Sequence, residues 1–407
     1  MADEDIPQGP ALTALDPIFR DDPYPVLAQL REIAPVMHDA AFGRFHLARE
    51  ADVARVLRDK HMWSDPRKAN EGTFSRLLLV ARNGEDTDEP SMLLADDPDH
   101  KRLRGLINKA FTPRAVEAQR SRTRAIAEEL LDAIEDDEFD FMARVADPLP
   151  TTVIAEMLGI DSDQRDDFKA WSAASSEAFF NIMRPADIVE KGLEGDENLQ
   201  QLFRSEIAKR RETPAGDLIG AMVAAEEDGD RMTEDEIVQQ CQLLLIAGNV
   251  TTTDLIGNGL KALMDHRDQW EALKADPALL PDAVEEMLRY DSPVINSGRI
   301  AHEDIEIGGC PIARGETVST SLAAANHDPA VHDDPGVFDI FRANKKHHSF
   351  GGGRHFCLGA PLARLEAQEL FGALAKKMPD VRPSAREPVY RAIPAFRGMS
   401  EYWVRKT

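Results

Sequence analysis

Cys357 is the residue whose surroundings say most about chemistry. It follows Phe350-Gly-Gly-Gly-Arg-His-Phe and precedes Leu-Gly-Ala-Pro-Leu-Ala-Arg364. From Leu358 to Leu370 the composition favours helix, and apolar residues recur at helical spacing. A thiolate at the start of a helix meets free backbone N–H groups and the positive end of the helix dipole, so its charge is stabilised. Gly351, Gly352 and Gly353 let the backbone come close to a flat ligand and point amides at the sulfur. Two plainer arrangements use the same residues. One is a helix-capping loop around an inert cysteine. The other is a zinc site built from His347, His348, His355 and Cys357, although no Cys-x-x-Cys pair accompanies them.

Other segments carry groups suited to a site. Thr233-Glu-Asp-Glu236 is a capping box, and the helical pattern that it opens runs to about Asp265, roughly 50 Å at about 1.5 Å per residue. Its middle, Gly248-Asn-Val-Thr-Thr-Thr253, is six poor helix formers in a row, flanked by Leu243, Leu244, Leu245 and Ile246, then Leu255 and Ile256. Such a helix is either distorted for function or held by close packing at Gly248 and threonines bonding back to the preceding turn. His100 and Arg104, four apart, share a helix face. Glu286 and Arg289, three apart, can pair on another.

The Cys357 segment resembles the haem-binding signature of the cytochrome P450 superfamily in Phe350, Gly351, Gly353, His355, Cys357 and Gly359. The resemblance runs from about Asp16 to the C-terminus. It implies a mainly α fold with a smaller β-rich lobe, a single P450 domain over residues 1–407. The helical lobe would span about 99–290 and 357–380, and the β-rich parts about 35–50, 293–320 and 388–405. It implies haem b with Cys357 as axial ligand. His100, Arg104, Arg299 and His355 match positions that neutralise the haem propionates, and Ala247 and Gly248 lie on the helix crossing the haem. There the family pattern puts an acid before Thr251. This chain has Val250, so Thr251, with Asn249 or Asp254 holding water, would have to deliver protons. Glu286 and Arg289 would lock onto Arg342. The resemblance also places Leu243, Leu244, Ala247, Val294, Ile295, Asn296 and Phe396 around an apolar substrate pocket, with Phe179, Phe180, Ile182 and Met183 in lid helices.

Composition is consistent with this. The chain has 407 residues, 43% of them hydrophobic, enough for a sizeable core. The three cysteines, Cys241, Cys310 and Cys357, imply no disulfide framework. Residues 1–10 are acidic without an apolar stretch, and no run approaches the roughly eighteen apolar residues of a membrane span. A cytoplasmic, monomeric enzyme of bacterial type is the expectation. The net charge of −25 disfavours nucleic acid and anionic membranes. Even so, Lys101 to Arg124 holds eight basic residues against one acid, and Arg342 to Arg364 holds five against none. Lys101, Arg102, Lys345 and Lys346 are therefore expected to face an acidic electron donor, a 2Fe–2S ferredoxin or a flavodoxin. The expected activity is haem-thiolate monooxygenation of a hydrophobic molecule such as a terpenoid, steroid, fatty acyl or aromatic compound. The alternatives are a peroxide-using oxygenase and a haem sensor without turnover. Residues 64–98, rich in Gly, Asp and Pro and carrying the acidic run Glu85 to Glu89, read as a long loop.

Overall fold

The helix Glu234–Asp265 is the axis of the molecule. The computed structural model describes residues 6–83, 91–180, 186–227 and 229–406. Thr233 caps the long helix: its hydroxyl accepts from the Glu236 amide at 3.2 Å, and the Glu236 carboxylate accepts from the Thr233 amide at 2.8 Å. The helices Pro148–Leu158, Arg165–Phe180, Ala186–Glu212, Leu280–Tyr290 and Ala360–Lys377 all pack on it. This burial overrides the poor propensities of residues 248–253, where helix continues without a break. The anticipated distortion is therefore absent, and Thr251 donates its hydroxyl to the Ala247 carbonyl at 2.8 Å.

The β-rich lobe is a four-stranded sheet in the spatial order Val36–Asp39, Arg44–Leu47, Thr317–Ser321, Asn296–Ile300. Arg44–Leu47 pairs in parallel with Thr317–Ser321, and the other two pairings are antiparallel. Strands return at Val389–Tyr390, Met399–Glu401 and Trp403–Arg405. The last of these pairs with Glu138–Asp140, a strand inside the stretch assigned to the helical lobe.

Residues 64–98 are not one long loop. They contain the helix Phe74–Asn83, tied to the sheet lobe by Phe74 N–H donating to Gly43 O at 3.0 Å and Ser75 N–H to Thr317 Oγ1 at 3.1 Å. The acidic run Glu85 to Glu89 lies outside the described residues.

A buried ion-pair knot joins the helices to the segment that leads to the cysteine loop. Arg289 and Glu286 form a bidentate pair, both contacts 2.7 Å, with both side chains fully buried. Arg289 also donates to the carbonyls of Asn326, Pro335 and Val337, and Arg342 reaches Glu286 at 3.3 Å. The Asp339 amide completes the carboxylate at 2.9 Å. Arg289 thus divides its donors between Glu286 and the carbonyls of Asn326, Pro335 and Val337, which offsets the cost of burying two charges.

Glu366, on the Ala360–Lys377 helix, has no such company. It is buried, its Oε2 has no partner, and burial alone pushes its carboxyl up to about 8. A folded-state pKa above the unfolded one takes stability away as pH rises from about 4.5 to about 8. Glu366→Gln should remove that slope, so that its unfolding free energy gains on wild type by on the order of a few kcal/mol toward the alkaline end. Parallel pH profiles of the two proteins in a urea titration would contradict this.

Candidate active site

The loop before Cys357 is fastened at each step. Asn326 accepts from the His348 amide at 2.7 Å and donates to Ser349 Oγ at 2.9 Å, and Ser349 donates to Leu288 O at 2.6 Å. Gly351 N–H donates to His348 O at 2.7 Å, and Cys357 N–H to Phe350 O at 3.0 Å. Gly351 and Gly353 have φ of +68° and +65°, the left-handed region that glycine enters freely. Gly353 also packs against the helix Glu50–Arg58, where a Cβ would run into the Leu57 carbonyl. Its close approach is therefore to this wall, a different reason for glycine than approach to a ligand. The helix begins at Ala360 with Gly359 as its cap.

The sulfur faces opposing influences. Surrounding protein raises the thiol pKa, against which the Gly359 and Ala360 amides and the Arg104 and Arg364 guanidiniums favour the thiolate. Yet Cys357 is exposed to solvent. Arg364 also covers the Phe350 ring at 4.5 Å.

Beside the sulfur, basic groups converge. The rings of His100 and His355 lie 4.1 Å apart, and Arg104 donates to the Phe356 carbonyl at 2.9 Å. Burial, followed by the charges of Arg299, His100, Arg354 and Arg104, pushes the His355 imidazole down to about 2. Burial, with Arg354 adding to it, brings the buried Arg299 down to about 10. Arg354 binds the Met62 carbonyl at 2.6 Å and Asp96 at 2.9 Å. His355 Nε2 is buried without a partner. Five basic side chains thus surround a spot whose nearest opposing charges are Asp96 and Asp97. An anion with carboxylates would satisfy them, and haem propionates have that chemistry. With a cysteine sulfur held by helix amides alongside, the residues present fit a haem with thiolate ligation.

The long helix supplies an open face. Most of it is buried, but Leu243, Leu244, Ala247, Val250 and Thr251 are half-buried and Gly248 is exposed. A Cβ on Gly248 would meet nothing within 4 Å, so the glycine leaves open space rather than close packing. Two proposed proton carriers are turned elsewhere. Asn249 accepts from Thr151 Oγ1 at 2.9 Å, and Asp254 is fully buried against Arg391. Ile295 is core, packed with Leu12, Phe19 and Leu27, because alternation along its segment turns it away from the half-buried Val294 and Asn296. Phe396 is buried and bridges to Val294. Phe179 is half-buried, whereas the Phe180 side chain, Ile182 and Met183 lie outside the described residues.

The basic face also reads differently in three dimensions. All five basic residues from Arg342 to Arg364 meet a carboxylate: Arg342 with Glu286, Lys345 with Asp282, Lys346 with Glu50, Arg354 with Asp96 and Arg364 with Glu285. Arg102 is tied to Glu236 and Asp230. Of the four residues expected to face a donor, only Lys101 has no ion pair among the described residues. The zinc arrangement fails because His347 and His348 are drawn to Glu285 and Glu50, and no group of three or more His, Cys, Asp or Glu among the described residues could hold a metal ion.

The family model for Cytochrome P450 matches residues 68–376. Cytochrome P450 107B1 of Saccharopolyspora erythraea is 39% identical over 383 residues, 92% of each chain. The chain belongs to the cytochrome P450 family. The 6-deoxyerythronolide B hydroxylase of the same organism is 37% identical over 397 residues, covering 95% of this chain and 96% of that protein. Among solved structures, CYP109E1 from Bacillus megaterium in complex with testosterone superposes with a TM-score of 0.85 at 33% identity, covering 95% and 99% of the two chains. This P450 is accordingly a haem-iron monooxygenase by family. No helix among the described residues is long and apolar enough to cross a membrane.

Arg354 and Arg391 are the residues that sequence reasoning passed over. Arg354 occupies an unconstrained position of the signature, and nothing near Arg391 in the chain signals its buried partner. Gly353→Ala should strain the backbone and press on Leu57, by on the order of 1–3 kcal/mol. Haem retention after gel filtration should fall in this variant, and undiminished retention would show that the loop can shift freely.

Proposed function

We propose that this P450 binds haem b through Cys357 and hydroxylates a large, mostly apolar ring compound, with electrons from a ferredoxin or flavodoxin. The observation carrying this reading is the joint placement of the amide-held Cys357 sulfur and the basic group of His100, Arg104, Arg299, Arg354 and His355. Haem with thiolate ligation activates dioxygen once electrons are delivered, a role that the electron-donating sulfur favours. The protein's share is positional. Gly359 and Ala360 amides favour charge on the sulfur against the opposing effect of burial. Leu243, Leu244, Ala247 and Val294 offer apolar surface that orients a substrate and excludes water. Thr251 keeps a hydroxyl on the open face, where it can pass a proton from water. The testosterone complex of CYP109E1 and the hydroxylase of 6-deoxyerythronolide B favour substrates of that bulk.

Carbon monoxide added to the reduced protein should give the strongly red-shifted absorption of thiolate ligation. Cys357→His should abolish it, and an unchanged spectrum in that variant would sink the assignment.

One observation favours peroxide-supported turnover as a second reading. Val250 stands where the family has an acid, and both nearby polar side chains, Asn249 and Asp254, are engaged elsewhere. If the hydroxyl route operates, Thr251→Ala should divert most reducing equivalents to peroxide and lower product per electron steeply, since a positioned proton-transfer group contributes about 10²–10⁴-fold to its step. Product per electron unchanged in Thr251→Ala, with hydrogen peroxide supporting equal turnover, would favour the peroxide reading.

A further inference from the structure

Asp254 lies three residues beyond Thr251 on the long helix, completely buried. Its carboxylate binds the guanidinium of Arg391, in the segment between the strands Val389–Tyr390 and Met399–Glu401. One turn further on, Asn258 donates from Nδ2 to the Arg397 carbonyl at 2.9 Å. Between these two attachments Gly398 comes so close that a Cβ there would overlap the Asp254 carboxylate. Arg391 N–H donates to Gly398 O at 2.9 Å, so residues 391–398 form a closed loop. The loop carries Phe396. Its other edge is fixed by backbone bonds, Ile295 N–H to Ala395 O at 3.0 Å and Arg397 N–H to Pro293 O at 2.9 Å. The side toward the long helix thus rests on one ion pair and one amide.

We propose that Asp254 and Arg391 are a specificity-determining clamp, setting how near the Phe396 loop lies to the Leu244–Ala247–Thr251 face and hence the bulk of ligand that the pocket admits. The proposal relies on the haem-thiolate reading only for where the pocket lies. Neither residue touches reacting atoms, so both are positioning residues. Asp254 Oδ2 and Arg391 Nε are buried without other partners, which makes each the principal compensation of the other. Removing Arg391 leaves the fully buried Asp254 carboxyl without its partner, and removing either residue frees the loop. Burial raises Asp254 to about 7, opposed by Arg391 and reinforced by Asp291, which is itself held by Arg397 at 2.5 Å. The charged clamp therefore holds above about 7 and loosens as pH falls through that value.

The test titrates ferric holoenzyme with imidazole, 4-phenylimidazole and clotrimazole, azoles of increasing bulk that bind haem iron and shift its spectrum. Arg391→Gln and the near-isosteric Asp254→Asn should leave the imidazole Kd within about twofold and change that of clotrimazole by at least about tenfold. The double variant should go no further than either single one, because the two residues act as a unit. Arg391→Lys, which keeps the charge, should recover much of the wild-type ratio. The wild-type ratio should drift toward that of Asp254→Asn as pH falls below about 7. The clamp is overturned if all three azoles move by one factor, or if none moves while thermal stability drops, since either describes a purely structural pair. Failure of the haem reading would look different, because wild type itself would then show no azole spectrum.

Discussion

The Cys357 sulfur is met by backbone and guanidinium donors that oppose the effect of burial on its thiol, and the surrounding structure follows from placing them there. The amides that meet it are those at the entry of the Ala360–Lys377 helix, so the chain must arrive there at a fixed angle. Two left-handed glycines make the turn possible, and the wall at Leu57 leaves no room for a side chain at the second. Behind the turn, Asn326 and Ser349 hold the incoming strand of the loop to the end of the Leu280–Tyr290 helix. The Glu286–Arg289–Arg342 knot then fixes that helix to the segment feeding the loop.

Charge is distributed by the same logic. The molecule is strongly acidic, yet its basic residues gather where anions have to be held. Around His355 they outnumber their carboxylates, and burial makes their mutual repulsion expensive. Around the outside of the loop each one meets a carboxylate, some of them shared with a second basic group. A basic run in sequence thus separates into an under-neutralised interior cluster and an ion-paired outer layer, two environments that a linear count cannot distinguish.

The cysteine loop, the capping box, the long helix and the Glu286–Arg289 pair were legible because each is local: its chemistry lies within a few residues of chain. The side-chain directions of Asn249 and Asp254 were not. They depend on Thr151, 98 residues before Asn249, and Arg391, 137 residues after Asp254. Residues 248–253 misled for a related reason, since their weak propensity is outweighed by helices packed from distant parts of the sequence. The helix Phe74–Asn83 was hidden by glycine, proline and acidic residues flanking it, while its anchors, Gly43 and Thr317, lie in other segments.

The ion pairs fastening residues 342–364 have a kinetic meaning. Their carboxylates come from the helices Glu50–Arg58 and Leu280–Tyr290 and from Asp96, so the loop is cross-linked to three separate parts of the molecule. Each contact alone is modest. Local opening, however, would have to release several at once, together with the Asn326 and Ser349 bonds. Amide hydrogens in this stretch should therefore exchange with solvent only when a much larger unit of the protein opens, even though part of the loop lies at the surface.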